Sequence, residues 1–409
     1  MTSVVVIGIN SFHNRGVEAL SVSICEQLLE RWPDADITVL CKQVAYNESK
    51  SPGLKVTYRV DAYREFVAKA CYVLGTLFTP IPRWLSREFA EVRDLVRSAD
   101  LVVSTGGDNF GKDYGPFQNH LTPFMEGQEV GAETVFLGQS IGPFKSSRAM
   151  NLFRRVARRC SLTTCRESLS YDFCLEQVGI PKERTALVGD VAFLLKPVER
   201  TRVDEILKAE GVEPDERRIV LSISGGISKF SEQSRESHLE RWVQIIRRLK
   251  AEIDARIIIV PHVWNDTHTP KNNDMVTSLA IKDRLADPDI VLPLQDLNAK
   301  EYKGIIGSAE FVVAERMHAA IAGLSQGVPT VAISYSVKAD GIIGDLFEEM
   351  SAKERPVIAI DALMVDEGTA DRIVALHERR EELQATLSRS LPQMLERARL
   401  NFDLLSSYF

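Results

Sequence analysis

The chain has 409 residues, more than one ordinary hydrophobic core supports, so its length predicts two domains. Charged residues make up 26% of the chain, hydrophobic residues 44%, and the formal net charge is -7. This negative balance argues against nonspecific binding of nucleic acid, because a polyanion requires a surplus of basic residues on its partner.

The N-terminus and the cysteines both favour a cytoplasmic protein. The chain begins with MTSVVVIGIN, which is typical of a strand and has neither a positive leader nor a cleavage site, so we expect no secretory signal. The six cysteines form no CxxC pair, and most lie in apolar surroundings that are typical of buried free thiols. Such thiols fit a reducing compartment.

Apolar runs rich in Val and Ile alternate with segments of helical period along the chain. This alternation is typical of parallel sheets covered by helices. In the first half it predicts strands at 4–8, 36–40, 101–105, 134–138 and 162–166, with helices at 17–31, 86–98, 147–159 and 167–178.

The same alternation starts again after residue 197. We therefore expect an α/β protein with two Rossmann-like doubly wound domains, 1–197 and 198–409, facing each other across a cleft. Leucines at helical spacing between residues 367 and 405 predict helices that close the C-terminus. The apolar runs of the second half lie at 218–226, 255–264, 289–294, 311–315 and 330–335, with an amphipathic helical segment at 237–253.

One segment has the composition of a membrane contact. Residues 66–85, FVAKACYVLGTLFTPIPRWL, are apolar and aromatic, but Lys69 and two prolines interrupt them well short of a spanning length. A packed helix and loop is the first interpretation. An interfacial helix at the inner face of the membrane is the alternative, and it matters if the substrate is linked to a lipid.

Ligands of open α/β sheets bind beyond the carboxyl ends of the strands, so the loops after the strands are the candidate sites. The first of these loops, NSFHNRGVEAL, opens a helix at Asn14, Arg15 and Gly16, where free backbone N–H groups favour an anion. It lacks the GxGxxG spacing, so it gives little support to a nicotinamide site.

Two further loops of the first half carry chemical groups. Gly106 and Gly107 follow a strand and allow a ligand to approach the backbone closely, while Asp108 is either a base or a helix cap in a tight turn. Arg166 also follows a strand, and it is either a surface arginine or a bidentate grip on a carboxylate or phosphate.

The stretch AERMHAAIAGLSQG places Arg316 and His318 at the start of a helix that ends at Gly327. Two cations at the positive end of a helix repel the dipole at a cost of about 1 kcal/mol, which a bound anion would relieve. A neutral His318 would instead serve as an acid or base, although a buried structural histidine is the alternative.

Other candidate groups follow the neighbouring strands, and a metal site is not supported. His262, Ser334 and Lys338 all lie in loops after strands, although Lys338 is equally compatible with a solvated lysine. The sequence has no HxH, no HExxH and no cluster of Cys and His, so we expect no metal. It also lacks a P-loop and a GxSxG nucleophile motif.

Seven motifs follow one another along the chain: NRGVEAL, STGGDNF, GQSIGPF, CRESLSYDF, GDVAFLL, KNNDM and ERMHAAIAGLSQGVPTVAISYSVKADGI. In this order they resemble the polysaccharide pyruvyl transferase family across most of the chain. The last motif, with R-x-H, G-x-P and S-Y-x-x-K, is the most specific. The resemblance implies two Rossmann-like domains of GT-B type and transfer of pyruvate from phosphoenolpyruvate onto a sugar as a ketal, with no separate cofactor.

The resemblance also implies roles for single residues. It implies that Arg166, Arg316 and His318 hold phosphoenolpyruvate, the last two from the C-terminal domain, and that Asp108 lies near the reacting groups on the acceptor side. Family members often carry an acidic residue directly after the first glycine, where this chain has Val17 and then Glu18. The acceptor is a sugar of a polysaccharide or of its lipid-linked precursor. The sequence does not indicate which sugar this is, or the oligomeric state of the protein. A GT-B glycosyltransferase with a nucleotide-sugar donor is the competing hypothesis.

Overall fold

The computed structural model of the chain describes residues 2–63, 83–111, 118–226, 233–265, 272–334 and 337–408. The chain forms two compact units of α/β structure, the first made of residues 1–12, 20–191 and 396–409 and the second of residues 13–19 and 192–395. Each unit contains one parallel sheet. No helix in the described part of the chain is long and apolar enough to cross a membrane.

The described part of the first unit contains an eight-stranded parallel sheet in the order β3-β2-β1-β4-β6-β7-β8, with β5 paired to β6. Its order reverses between β1 and β4, as in the Rossmann fold. The strands are Ser3–Ile7 (β1), Asp36–Cys41 (β2), Thr57–Val60 (β3), Leu101–Ser104 (β4), Gly107–Phe110 (β5), Glu133–Ile141 (β6), Leu162–Cys165 (β7) and Thr185–Leu187 (β8).

Helices cover the first sheet, and an aromatic cluster fills the space beneath them. Phe136 contacts Phe110, Phe124 and Phe153 at ring-centroid distances of 5.0, 4.4 and 5.3 Å. Burial of these rings makes a large contribution to the core of this unit. The helices are Arg15–Arg31 (α1), Val44–Lys50 (α2), Arg83–Ser98 (α3), Gln118–Val130 (α4), Ser147–Ala157 (α5) and Ser168–Phe173 (α6), the last continued by a π-helical turn at Cys174–Val178.

The second unit repeats the Rossmann strand order as β11-β10-β9-β12-β13-β14. Its strands are Arg218–Ser222 (β9), Arg256–Ile259 (β10), Ile290–Val291 (β11), Phe311–Ala314 (β12), Thr330–Ser334 (β13) and Val357–Ala359 (β14). Its helices are Arg200–Ala209 (α7), Arg235–Glu252 (α8), Asp274–Leu285 (α9), Ala299–Gly307 (α10), Met317–Leu324 (α11), Val337–Leu346 (α12), Ile360–Val365 (α13), Thr369–Glu378 (α14) and Arg380–Leu405 (α15), whose last turns belong to the first unit.

The compact units differ from the predicted ranges 1–197 and 198–409 in three segments, 13–19, 192–197 and 396–409. Residues 13–19 belong to the second unit, because Asn14 forms an antiparallel bridge with Val263. Residues 396–409 belong to the first unit, because the Asn401 side chain accepts a hydrogen bond from Thr164 Oγ1 at 2.6 Å and donates one to the Gly189 carbonyl at 2.9 Å. Neither long-range contact is visible in a hydrophobic pattern.

The predicted fold class, two Rossmann-like α/β domains, is confirmed, while four strands are additional. β3, β5, β8 and β14 have three or four residues each, and β5 reads GDNF, a composition depleted in strands. The predicted strand at 289–294 is shorter, because Pro293 has no N–H for a sheet ladder. The predicted apolar segment 66–85 lies outside the described residues except where α3 begins.

Candidate functional site

Arg166 lies at the carboxyl end of β7 and is the centre of a buried polar cluster in the first unit. Its guanidinium forms ion pairs with Asp190, which follows β8, and with Asp108 of β5 at 3.4 Å. Its Nε donates to Ser140 Oγ at 2.8 Å. Parallel strands bring these groups together because their carboxyl ends meet at one edge of the sheet.

The two carboxylates decide the electrostatic state of Arg166. Burial alone would lower the pKa of this guanidinium, but Asp190 and then Asp108 outweigh burial and raise the pKa above its ordinary value. The Arg166 side chain is only 4% exposed. The cation predicted to grip a ligand anion is therefore already bound by two protein carboxylates, of which Asp108 is the more distant and the more exposed.

The predicted ligand-facing glycines have a structural reason of their own. A methyl group on Gly106 would lie 2.9 Å from the Gly138 carbonyl of β6, so this position requires glycine for close packing of two backbones. Gly107 has a φ of +103°, which disfavours other residues. The sequence explanation, close approach of a ligand, is not needed for either glycine.

We expect Asp190→Asn to destabilise the first unit by about 3 kcal/mol, because it removes the fully buried partner of a buried arginine. Chemical denaturation measures this loss. Asp204→Asn is the matched control, since Asp204 pairs with the exposed Arg200 and such pairs contribute roughly 0.5 kcal/mol or less. Equal effects of the two substitutions would contradict a structural role for the Arg166 pair.

In the second unit, Arg316 is held by Asp274. Arg316 is the N-cap residue of α11, and its Nε and Nη2 donate to the two carboxylate oxygens of Asp274 at 3.0 and 2.6 Å. The backbone N–H groups of Gly225 and Val263 also donate to Asp274, each at 2.8 Å. This one carboxylate therefore joins the segments that follow β9, β10 and β12.

This pairing changes the argument drawn from the sequence. The repulsion expected between Arg316 and the positive end of α11 is relieved by Asp274, so it does not by itself require a bound anion. Asp274 is fully buried, while the Arg316 side chain remains 21% exposed. The inner edge of the guanidinium is thus fixed by protein, and solvent reaches the remainder.

A second buried carboxylate, Glu315, fixes the strand end directly before Arg316. Its oxygens accept hydrogen bonds from the Ser224 backbone N–H at 2.6 Å, His238 Nε2 at 2.7 Å and Trp242 Nε1 at 2.8 Å. Burial would lower the pKa of His238, but Glu315 outweighs burial and raises this pKa above its ordinary value. His238 therefore carries charge to a higher pH than an exposed histidine.

The raised pKa of His238 predicts a pH dependence of stability. A pKa that is higher in the folded than in the unfolded state adds stability that is complete below about pH 6.5 and is lost as pH rises through the folded value. Thermal unfolding of wild type and His238→Gln between pH 5 and 9 should show a gap in melting temperature that narrows as pH rises. A gap that is constant, or wider at high pH, would refute the ion pair.

His318, the second residue of α11, packs against the first turn of α1. A methyl group on Gly16 would lie 2.4 Å from His318 Nδ1, so only glycine leaves room for the imidazole. The Asn14 side chain accepts a hydrogen bond from the Gly16 N–H at 3.0 Å and caps this turn. The first loop therefore shapes the position of His318, which explains the glycine of the NRG motif.

Arg15 is fully buried in the same unit and is bound by two acidic residues. It pairs with Glu18 at 3.3 Å and with Asp296. Glu18 also accepts a hydrogen bond from the Ala299 N–H at 2.7 Å, at the start of α10. Glu18 thus has a structural role, because it binds both Arg15 and the start of α10. It has this role although Val17 occupies the position where family members often carry the acidic residue.

A cavity of about 10 Å³, close to the volume that one water needs, lies among Arg15, His262, Lys303 and His318. His262 is buried, and its Nδ1 has no hydrogen-bond partner among the described residues. Burial, followed by the charges of His318, Arg316 and Arg15, lowers the pKa of His262 well below its ordinary value. His262 is therefore neutral in this cavity.

The structure sorts the predicted residues into two clusters. Asp108 and Arg166, with Gly106 and Gly107 nearby in sequence, belong to the first unit. The Lys338 side chain lies outside the described part, and Ser334 is buried at the end of β13. In the described part of the chain no three His, Cys, Asp or Glu residues are grouped to hold a metal ion. The second unit brings together Asn14, Arg15, His262, Arg316 and His318.

Sequence reasoning missed the buried acidic partners Asp190, Asp274 and Glu315. Asp190 lies in the loop after β8, Asp274 begins α9 and Glu315 directly follows β12. All three lie within the motifs GDVAFLL, KNNDM and ERMHAAIAGLSQGVPTVAISYSVKADGI. The position of Glu315 directly before Arg316 was an available signal, whereas Asp190 and Asp274 lie 24 and 42 residues from the arginines that they bind. A buried arginine requires a carboxylate, so the search for Arg166 and Arg316 also calls for a search for their partners.

The sequence model of the polysaccharide pyruvyl transferase family matches residues 14–337, which include both clusters. The chain belongs to this family. It is also 22% identical over 323 residues to the amylovoran biosynthesis protein AmsJ of Erwinia amylovora, with 76% of this chain and 73% of AmsJ covered. The family comprises transferases that modify polysaccharides.

Solved structures with the same fold confirm the predicted GT-B-like class. The S. aureus MnaA co-structure with UDP has a TM-score of 0.61 at 12% identity, covering 95% of this chain and 91% of MnaA. Anabaena HepE in complex with UDP and glucose has a TM-score of 0.59 at 12% identity, covering 100% and 99%. At such identities the likeness shows the fold alone.

Proposed function

We propose that the protein transfers pyruvate from phosphoenolpyruvate to a sugar of a polysaccharide or of its lipid-linked precursor, forming a ketal and releasing phosphate. Family membership and the likeness to an amylovoran biosynthesis protein support this reaction class. The structural observation that carries the proposal is the position of His318, an imidazole at the start of α11 among Arg15, Arg316 and Lys303.

The donor explains why cations gather at this place. Phosphoenolpyruvate carries a phosphate and a carboxylate on a three-carbon frame, so it needs several N–H donors or positive charges. In the proposal, the solvent-exposed part of Arg316 and the N-terminus of α11 bind one acidic group of the donor, while Asp274 keeps the guanidinium in place. The cavity beside His318 has room for about one water, so the cavity itself does not hold the donor.

Ketal formation needs one proton delivered and two hydroxyl protons removed. A proton adds to the methylene carbon of phosphoenolpyruvate, a sugar hydroxyl attacks the central carbon, and phosphate leaves as the second hydroxyl attacks. One of the two hydroxyl protons replaces the proton delivered by the acid, and the other leaves with phosphate. The enzyme therefore needs an acid that the reaction recharges.

Charge balance in the second unit favours His318 as that acid. The cations Arg15, Arg316 and Lys303 stand beside three carboxylates, so the cluster is close to neutral before the donor binds. These carboxylates are Glu18, Asp274 and Asp296. An incoming polyanion adds negative charge, which raises the pKa of a neighbouring imidazole. In the proposal His318 is the imidazole that delivers the proton, whereas burial keeps His262 neutral.

In the first unit, Asp108 is the proposed group that orients the acceptor. Arg166 holds the Asp108 carboxylate at 3.4 Å, and Asp190 holds Arg166. Contact between Arg166 and the donor, as the family resemblance implies, requires Asp108 to leave the guanidinium. Asp108 is the partner that exchanges more readily because its side chain is 17% exposed, whereas that of Asp190 is fully buried.

Transfer from a nucleotide sugar is the alternative function. One observation favours it, the likeness to structures solved with UDP, but that likeness shows the fold alone. The two hypotheses differ in the donor, so a binding experiment separates them.

Titration calorimetry with phosphoenolpyruvate, and in parallel with a panel of nucleotide sugars, tests the donor. We expect saturable binding of phosphoenolpyruvate that Arg316→Ala weakens at least tenfold, because the exposed guanidinium edge is lost. Arg379→Ala is the control of equal charge change, since Arg379 pairs with Glu382 on the surface. Binding of a nucleotide sugar without any response to phosphoenolpyruvate would reject the proposal.

Phosphate release in the presence of an acceptor tests His318. We expect His318→Ala to lower turnover by about 10² to 10⁴-fold, as removal of a general acid does. Gly16→Ala should lower turnover through the same group, because its methyl would meet the imidazole at 2.4 Å. His318→Ala combined with Gly16→Ala should be no slower than His318→Ala alone.

The control for this pair is Gly131→Ala, where a methyl group would meet no atom within 4 Å. Gly131 has a positive φ, so this variant reports backbone strain in a loop of the first unit. Near-normal turnover of His318→Ala would remove His318 from the chemistry. Additive losses in the double variant would show that Gly16 acts by another route.

A further inference from the structure

We propose that the exposed basic face of α5 docks the protein on an anionic membrane surface. We define the basic face as Lys145, Arg148, Arg155, Arg158 and Arg159, all of which are exposed. Together with Arg154 these are six basic residues between positions 145 and 159, a stretch without a single Asp or Glu. The chain as a whole carries a net charge of -7, so the positive charge of this face is opposite in sign to the net charge of the protein.

Helical spacing places the basic residues on the outer side of α5. Arg148 and Arg155, at i and i+7, form one stripe along the helix with the half-buried Leu152 between them, and Arg159 lies in the turn directly after α5 ends at Ala157. The opposite side of the helix, Phe153, Val156 and Ala157, is buried in the core of the first unit. The fold therefore fixes the stripe toward solvent.

No carboxylate of the described residues forms an ion pair with the basic face. The hydrogen bonds of Arg158 go to the carbonyls of Val178 and Gly179, and Arg159 donates to the Gln128 carbonyl. The exposed acids of neighbouring elements, Asp172, Glu176 and Glu183, also lie outside ion-pair distance in that part of the chain. The charges of this face are left for a partner.

Arginines on neighbouring helices behave differently. Arg93 and Arg97 of α3 both pair with Glu126 of α4, and Arg97 also pairs with Glu129. Glu126 and Glu129 lie on α4, which packs beside α5, yet both form ion pairs with arginines of α3. The basic residues of α5 and its flanks therefore lack the acidic partners that α4 provides for α3.

Charge complementarity and shape favour a lipid surface as the occupant. An outward helix face is convex and presents a row of cations to a plane of lipid phosphates, whereas a single polymer chain is bound in a groove. Leu152 adds an apolar side chain to the stripe, as interfacial helices do. Each such arginine should strengthen binding to an anionic surface about fivefold at low salt.

This docking is independent of the donor chemistry. It would hold the enzyme beside lipid-linked sugars, but it requires neither phosphoenolpyruvate nor a ketal product. It also rests on residues other than the apolar segment 66–85. Vesicle binding and transfer to a soluble acceptor therefore report on separate proposals.

Co-sedimentation of the full chain with vesicles tests the docking. The vesicles contain phosphatidylethanolamine with 30% phosphatidylglycerol as the anionic lipid, and phosphatidylcholine vesicles are the neutral comparison. We expect salt-sensitive binding to the anionic vesicles alone, and at least a 50-fold loss in the triple variant Arg148→Gln, Arg155→Gln, Arg159→Gln.

The matched control is the triple variant Arg87→Gln, Arg200→Gln, Arg248→Gln, which removes equal charge from exposed arginines that have acidic partners. Retained vesicle binding in this control supports the basic face. Absence of binding to anionic vesicles at low salt would overturn the proposal. So would equal losses in the two triple variants, or binding of wild type to an acidic polysaccharide in place of vesicles.

Discussion

The Asp274 carboxylate is the interaction on which the site of the second unit depends. Its two oxygens each accept one hydrogen bond from Arg316 and one from a backbone N–H, of Gly225 or Val263. Parallel strands only bring loops to the same edge of a sheet, whereas this carboxylate fixes three of them against one another. Leaving any of these donors buried and unsatisfied would cost about 1 to 3 kcal/mol, so the loops and the arginine hold one geometry together.

The first unit follows the same principle with the charges exchanged. In that unit the central group is the arginine. Arg166 forms ion pairs with Asp190 and Asp108 and a hydrogen bond with Ser140, which lie at neighbouring strand ends. A buried ion pair adds little net stability, because desolvation offsets much of the attraction, but an unpaired buried charge is costly. Such pairs therefore act by selecting one arrangement of side chains. This is what a site for a small, highly charged donor requires.

Much of the fold could be predicted from the sequence, and less of the site. Runs such as VVVIG and FVVAE form buried parallel strands because both faces of these sheets are covered, so their apolar composition carries the information. The position of Arg316 and His318 at a helix start also follows from local signals. Contacts between residues distant in sequence, such as Asn401 with Thr164, could not be predicted, because no periodic pattern encodes them.

The arginines show why location after a strand is incomplete evidence for a ligand site. Arg166 and Arg316 both follow strands, and each is bound by a buried carboxylate. Each arginine is therefore held in place by the protein itself, and only its remaining N–H groups are candidates for contact with a ligand. The arginines on the outer side of α5 lack such partners in the described part of the chain, although no sequence motif marks them. Which cations remain available to a ligand or a surface is decided by the acids that the fold places beside them. These acids are brought there by tertiary contacts, which the charge pattern of the sequence does not encode.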